Sequence, residues 1–258
     1  MAGASLATSR LPRFADHVNA LLVVTACGGI VAVLGHAAVL QSMILVPGGI
    51  TLSLGNAASF IGLLSGLTGF CIVVQPALRG MGAGLMLLAG IAALATGWPA
   101  VSPGGTMMSW QLEAHVLISL VAYGMLTVGA IVAVFAIVQD KRLRARRVSA
   151  ADRLFAPLEM TEKLLYGIAA AGFVTLLLAV FSGFLFVDDL FAQHLVHKTT
   201  LSLLALVLFG VLLAGRWLAG WRGRRAVLLY LWGFTILCLA YFGSRFVLEQ
   251  ILGRSWSA

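Results

Sequence analysis

The chain has 258 residues, of which 61% are hydrophobic and only 10% are charged, and its mean hydropathy is +1.03. A water-soluble protein of this length could not bury so much apolar surface, so the composition excludes a soluble globular domain. The net charge of +8 is then first a signal of membrane topology rather than of nucleic-acid binding, because Lys and Arg collect on the cytoplasmic side of membrane proteins.

Seven apolar stretches follow one another along the chain, each near the length needed to cross a bilayer. The first is too long for the core of a signal peptide, so we expect it to be retained as a span. The sequence therefore predicts an all-α polytopic transmembrane helical bundle, with residues 1–258 forming a single transmembrane domain. The predicted spans are 18–45, 53–75, 81–99, 114–139, 164–187, 197–218 and 226–247.

The basic residues predict the orientation of this bundle. With the N-terminus placed in the cytoplasm, 14 of the 17 Lys and Arg residues fall on the cytoplasmic side, and only Lys198, Arg245 and Arg254 fall on the other. The C-terminus is then periplasmic. The basic runs 141–147 and 216–225 directly flank spans, so we interpret them as contacts to anionic lipid headgroups and not as nucleic-acid sites.

A GxxxG step, formed by Gly62 and Gly66, lies in the second span. Small residues at this spacing let two helices approach closely where lipid supplies no hydrophobic drive. The step is compatible with a dimer interface or with packing inside one chain, and we favour the intrachain interpretation.

The sequence lacks the motifs that mark several functional classes of protein. The three cysteines lie far apart, with no CxxC pair and no CxxCH haem-attachment motif, so neither a thiol–disulfide carrier nor a c-type cytochrome is expected. There is no P-loop, HExxH or GxSxG motif, and no chain of carboxylates falls within the spans. We therefore expect neither an enzyme nor a proton-driven transporter.

Histidines are the residues of this sequence most suited to binding a ligand. Three predicted spans each place a histidine on the predicted periplasmic side. His36 lies inside the first span, His115 at the start of the fourth and His197 at the start of the sixth. Imidazole is a common axial ligand of haem iron, so this convergence favours a haem site over three unrelated interfacial side chains. For His36, a hydrogen bond to a neighbouring helix explains the residue equally well.

Two neighbouring features leave alternatives open. His194 and His197 form an HxxH pair near Asp188 and Asp189, a pattern that could hold a transition metal, although no cysteine or further histidine completes the set. Lys198 either pairs with a haem propionate or snorkels to the membrane interface.

Three motifs follow one another in the second half: HKTTLS at 197–202, GWRGRR at 220–225 and AYFGS at 240–244. With LGHAAVLQ around His36 and HVLISLVAYG at 115–124, they make the chain resemble the cytochrome c assembly membrane-protein family, which groups CcsA, CcmC and HemX-like proteins. The resemblance is greatest to its YpjD-like bacterial inner-membrane branch and covers nearly the whole chain from about residue 18.

The resemblance implies haem handling at the periplasmic leaflet of a bacterial inner membrane. Family members present haem to apocytochromes through histidines that flank a tryptophan-rich segment, and His115, His197 and Lys198 fall at corresponding places. Here VDDLFAQHLVH replaces that segment, and AYFGSRFVLE lacks the later flanking histidine.

We therefore predict a multi-pass accessory protein that binds or presents haem, with His115 and His197 as iron ligands and with His36 and Lys198 as further contacts. Its partners would be membrane lipid, haem, and an apocytochrome or haem-pathway protein. One alternative is a non-catalytic, HemX-like scaffold that contacts cytosolic partners through its basic loops. A third is a small-solute permease.

Overall fold

A computed structural model describes residues 18–46, 49–50, 52–98, 109–145, 157–186 and 196–243, and in these ranges the chain forms seven α-helices. They are α1 (Val18–Ile44), α2 (Leu54–Ile72), α3 (Arg79–Ala93), α4 (Trp110–Arg144), α5 (Leu158–Phe186), α6 (Val196–Ala219) and α7 (Arg224–Cys238). Six are long and apolar enough to cross a membrane, and α3 is a shorter apolar helix. The predicted all-α membrane bundle is confirmed, and each predicted span corresponds to one helix.

Three short elements complete the described ranges. The strands Leu45–Val46 and Gly49–Ile50 pair antiparallel directly after α1. A 3₁₀ turn at Pro76–Leu78 connects α2 to α3, and a π-helical turn at Leu239–Gly243 extends α7.

The longest helix, α4, extends beyond the predicted span 114–139 at both ends. At its start, the Ser109 hydroxyl accepts a hydrogen bond from the Leu112 amide at 3.4 Å, which caps the first turn. At its end, basic side chains lie where the helix dipole is negative, and Arg144 forms an ion pair with Asp140 at 3.0 Å. Hydropathy marks only the apolar part of the helix, whereas these polar groups extend it at both ends.

The third helix ends earlier than the predicted span 81–99. After Ala93 the chain turns, and Gly97 adopts φ = +79°, a conformation that excludes it from an α-helix. The Gly97 amide donates to the Asn56 side-chain oxygen at 2.9 Å, and the Gly55 amide donates to the Trp98 carbonyl at 2.9 Å. The turn is therefore held against the start of α2.

The second and third helices pack through small residues. A methyl group added at Gly62 would overlap the Ala92 methyl, and one at Gly66 would lie 3.0 Å from the Ala89 methyl. Further along, a methyl at Gly69 would lie 2.8 Å from the Gly82 carbonyl. The GxxxG step of α2 thus faces α3 of the same chain, as the intrachain interpretation expects.

The core of the bundle lies around the middle of α4, which contacts α2, α5 and α7. Tyr230 of α7 is fully buried there and donates a hydrogen bond to the Leu126 carbonyl at 2.9 Å. The ring of Phe209, from α6, packs edge-on against Tyr230 with centroids 5.1 Å apart. By contrast, α1 packs mainly on α2.

The helices run alternately up and down, which gives the bundle two ends. Leu64 of α2 packs against Gly124 of α4, and Gly84 of α3 lies near Phe135 of α4. Consequently α2 and α4 start at the same end of the bundle. The start of α6 and the end of α7 lie at this end too, and we call it the histidine end. The opposite basic end carries the end of α4 and the starts of α5 and α7. Which end faces the cytoplasm remains a prediction from the basic residues.

Candidate functional site at the histidine end

His115 lies in the second turn of α4 and is half-buried against α5. Its Nδ1 is 2.9 Å from the Ser182 hydroxyl oxygen. That hydroxyl in turn donates to the Ala179 carbonyl of its own helix at 2.9 Å. His115 is thus attached to the neighbouring helix through one ring nitrogen.

Lys198 contributes a positive charge near His115. It is half-buried in the first turn of α6, and its Nζ lies 5.3 Å from the ring centroid of Tyr241, within the range of a cation–π interaction. Its charge also acts electrostatically on the His115 imidazole. The cation is therefore held over an aromatic face beside the histidine.

The aromatic face under Lys198 depends on the π-helical turn. Tyr241 and Phe242 both belong to this turn, and both rings pack against Tyr123 of α4, with centroids 5.6 and 6.4 Å away. Turns of this kind insert one extra residue into a helix and recur at functional sites. The AYFGS motif, which carries part of the family resemblance, thus overlaps this π-helical turn.

Tyr123 also explains how the π-helical turn is tolerated in a membrane helix. A change from α to π spacing withdraws an amide from a carbonyl in the preceding turn, and membrane interiors offer no water to replace it. The buried Tyr123 hydroxyl donates to the Leu237 carbonyl at 2.8 Å, at the place where the spacing changes. We call His115, Ser182, Lys198, Tyr123 and Tyr241 the histidine-end site.

His197 lies in the first turn of α6, as predicted, and its side chain is exposed. It neighbours Lys198 in sequence, but successive residues of a helix point about 100° apart. Its carbonyl accepts a hydrogen bond from the Thr200 hydroxyl at 3.2 Å. Among the described residues, no side chain bonds to its imidazole.

His36 belongs to a separate series of hydrogen-bonded polar side chains at the same end. Its Nε2 lies 2.7 Å from the Ser59 hydroxyl, which lies 2.7 Å from the Thr96 hydroxyl, and Thr96 donates to the Ala93 carbonyl at 2.7 Å. These bonds connect α1 to α2 and to the turn after α3. The role of His36 as a haem contact remains a prediction, and ligation through Nε2 would require its hydrogen bond to Ser59 to break.

The alternative transition-metal site falls outside the described residues, since His194, Asp188 and Asp189 all lie in the range 187–195. Within the described ranges, no group of three or more His, Cys, Asp or Glu side chains could hold a metal ion. Haem does not require such a group, because the protein supplies only one or two axial ligands to its iron.

The residues around His115 fit a haem ligand set in their chemistry. They combine an imidazole held through Nδ1, an ammonium suited to a propionate, and aromatic rings. Exposed Trp110, which packs on Phe186 with ring centroids 6.2 Å apart, adds an apolar surface at the same end. A haem group here would sit at the surface of the bundle.

Sequence reasoning missed the partners of these predicted residues. Ser182, Tyr123 and Tyr241 were not predicted as site residues. The available signal was polarity, since Ser182 is the polar side chain of the apolar run FSGFLF, and such residues in a span usually have a partner. The partner itself is 67 positions away in the chain, and no sequence pattern identifies it.

The GWRGRR motif forms a fixed loop at the basic end. The Trp221 carbonyl accepts hydrogen bonds from the Tyr166 hydroxyl at 2.7 Å and from Arg216 at 3.2 Å, and the Gly223 amide donates to the Glu162 carboxylate at 3.0 Å. Two shallow grooves at this end are both lined by Glu162, Gly223 and Val227. They are therefore remote from the histidines.

The fold and the histidine-end site define a polytopic helical membrane protein that gathers an imidazole, an ammonium and aromatic rings at one end of its bundle. The cytochrome C assembly protein family matches residues 26–252, and the chain belongs to this family. The predicted family resemblance is thereby confirmed.

Relatives agree with this membership. The inner membrane protein YpjD of Escherichia coli K12 is 31% identical over 231 residues, which cover 86% of this chain and 85% of YpjD. A 28.8 kDa protein from a nifR3-like 5′ region of Azospirillum brasilense is 30% identical over 172 residues, 66% of this chain and 63% of that protein. No solved structure matches the chain. The chain is a multi-pass protein of the bacterial inner membrane.

Proposed function

We propose that the chain is a haem-binding accessory protein of cytochrome c assembly, and that it holds haem at the histidine end, on the predicted periplasmic side. The observation that carries the proposal is the environment of His115. Its half-buried imidazole is held through Nδ1 and stands beside a cation that packs on an aromatic ring. The proposed role is binding or presentation, not enzymatic catalysis.

The residues have separate roles in this proposal. His115, through Nε2, and the exposed His197 would hold the haem iron. Lys198 would pair with a propionate, in exchange for part of its contact with Tyr241. When bound, haem supplies the redox-active iron that cytochromes use. The chain's own residues hold the group and neutralise its carboxylates.

The test is a haem titration of the purified protein in detergent, followed by the Soret absorption band. We expect the wild type to give a ligated band, His115→Ala to lose it, and His197→Ala to change its position because one axial ligand is lost. His36→Ala tests the predicted further haem contact in parallel, since His36 is also a half-buried membrane histidine but is bonded through Nε2. A wild type without a Soret band, or a His115→Ala variant that binds like the wild type, would refute the proposal.

The fixed basic loop favours a second candidate function, a scaffold that contacts cytosolic proteins. Glu162 and Tyr166 hold the loop in place, while Arg222, Arg224 and Arg225 are exposed. The test is affinity capture of cytosolic proteins by wild type and by a variant with these three arginines changed to glutamine. Loss of a captured protein with an unchanged haem titration would support the scaffold function. Equal capture by both proteins would argue against it.

A further inference from the structure

The hydrogen bonds around His115 define which of its nitrogens carries the proton. Ser182 has one hydroxyl proton, and its hydroxyl donates to the Ala179 carbonyl at 2.9 Å. The Ser182 oxygen can then only accept from the His115 nitrogen 2.9 Å away, which must be an N–H donor. With the hydroxyl proton directed to the Ala179 carbonyl, the tautomer of His115 carries its proton on Nδ1.

Ser182 is only 6% exposed, so water has little access to compete for these bonds. The Ser182 oxygen therefore keeps the His115 N–H as its donor.

We infer that Ser182 is the positioning residue of His115, which fixes the imidazole in its Nδ1–H tautomer and leaves the Nε2 lone pair free for a ligand. The use of that lone pair for iron rests on the proposed haem binding, whereas the tautomer is a property of the chain alone. Histidines that bind metals generally donate their other N–H to an oxygen, which sets both ring orientation and ligand basicity.

His36 provides an internal contrast. Because the Thr96 hydroxyl donates to the Ala93 carbonyl, the Ser59 hydroxyl donates to Thr96, and Ser59 then accepts from His36 Nε2. With this assignment of the hydroxyl protons, His36 is the Nε2–H tautomer, and its lone pair is on Nδ1. His36 and His115 thus carry opposite tautomers, and of these two histidines only His115 presents Nε2 as a ligand.

The first experiment reads the tautomers directly, without haem. Protein labelled with ¹⁵N-histidine is studied in detergent micelles by long-range ¹⁵N–¹H correlation NMR, with His36→Ala and His115→Ala used to assign the signals. We expect an Nδ1–H pattern for His115 and an Nε2–H pattern for His36. Ser182→Ala should shift the His115 signals towards a mixture of tautomers, and Ser182→Thr, which keeps the hydroxyl, should restore them.

Ser65→Ala is the matched control, since Ser65 is also a buried serine in a span and its hydroxyl also donates to a carbonyl of its own helix, that of Ile61, at 2.9 Å. It should leave the His115 signals unchanged. Nε2–H signals for His115 in the wild type, or a Ser182→Ala variant with unchanged signals, would overturn the inference.

The second experiment repeats the haem titration on Ser182→Ala. We expect its haem affinity to fall by about 10- to 100-fold, as is typical when the partner of a metal-binding histidine is removed. If the wild type binds no haem, the proposed function fails while the tautomer result still stands. If Ser182→Ala binds haem like the wild type and keeps its tautomer, Ser182 has no positioning role, and haem binding by His115 is unaffected.

Discussion

The close packing of α2 on α3 gives the sharpest prediction for stability. In Gly62→Ala, the new methyl would overlap the Ala92 methyl, so the two helices must separate before both fit. Overpacking of this kind costs about 1–3 kcal/mol. Alanine regains about 0.5–1 kcal/mol relative to glycine within a helix, so a net loss of up to about 2.5 kcal/mol is expected.

Two further variants turn this expectation into a specific test. Ala92→Gly removes the methyl that Gly62→Ala would meet, so the double variant should recover most of the lost stability, with a coupling of about 1–2 kcal/mol. Gly90→Ala on α3 is the control, because a methyl there meets nothing within 4 Å. It should be neutral or stabilise by up to about 1 kcal/mol.

The assay is reversible unfolding by SDS in mixed micelles, followed by circular dichroism, with the oligomeric state measured in parallel by size-exclusion chromatography. Equal effects of Gly62→Ala and Gly90→Ala would refute the packing argument. So would the absence of rescue by Ala92→Gly. A Gly62→Ala variant that changed from dimer to monomer without losing stability would instead support the dimer interface that the GxxxG step also allows.

The other predictions concern single hydrogen bonds. Tyr123→Phe leaves the Leu237 carbonyl without its side-chain donor and should lower stability in the same SDS assay by about 0.6–1.7 kcal/mol; an unchanged midpoint would show that the π-helical turn does not need this bond. Glu162→Ala releases the Gly223 amide and should speed tryptic cleavage in the GWRGRR loop, whereas an unchanged cleavage rate would mean that the loop is held by its other contacts. His36→Ala should loosen α1, measured as faster hydrogen exchange in its last turns, and unaltered exchange there would contradict a structural role for the histidine.

The features of the fold that depend on hydropathy alone were predicted correctly from the sequence. Each predicted span overlaps a helix, because some twenty apolar residues have few alternatives to a helix across a bilayer. The end of α3 was wrong by several residues, because the Gly97 turn is stabilised by Asn56, which lies 41 positions earlier. A bond of that range has no local sequence signature.

The candidate site was predictable to the level of its residue types. The histidines reach one end because apolar spans alternate in direction, which the sequence shows. Their tautomers depend on which hydroxyl each ring meets, and His115 and Ser182 are brought together only by the packing of α4 on α5. The π-helical turn also depends on packing, since the Leu237 carbonyl just before it accepts a hydrogen bond from a tyrosine of another helix.

The short third helix has a consequence for the surrounding lipid. Its 15 residues give a length of about 22 Å, whereas the hydrocarbon layer of a bilayer is about 30 Å thick. By contrast, the 29 residues of α5, which exposes many apolar side chains, extend about 44 Å. The protein thus presents unequal hydrophobic heights around its perimeter. We expect the bilayer to be thinner beside α3 than elsewhere, so that lipids with shorter acyl chains are enriched along that side.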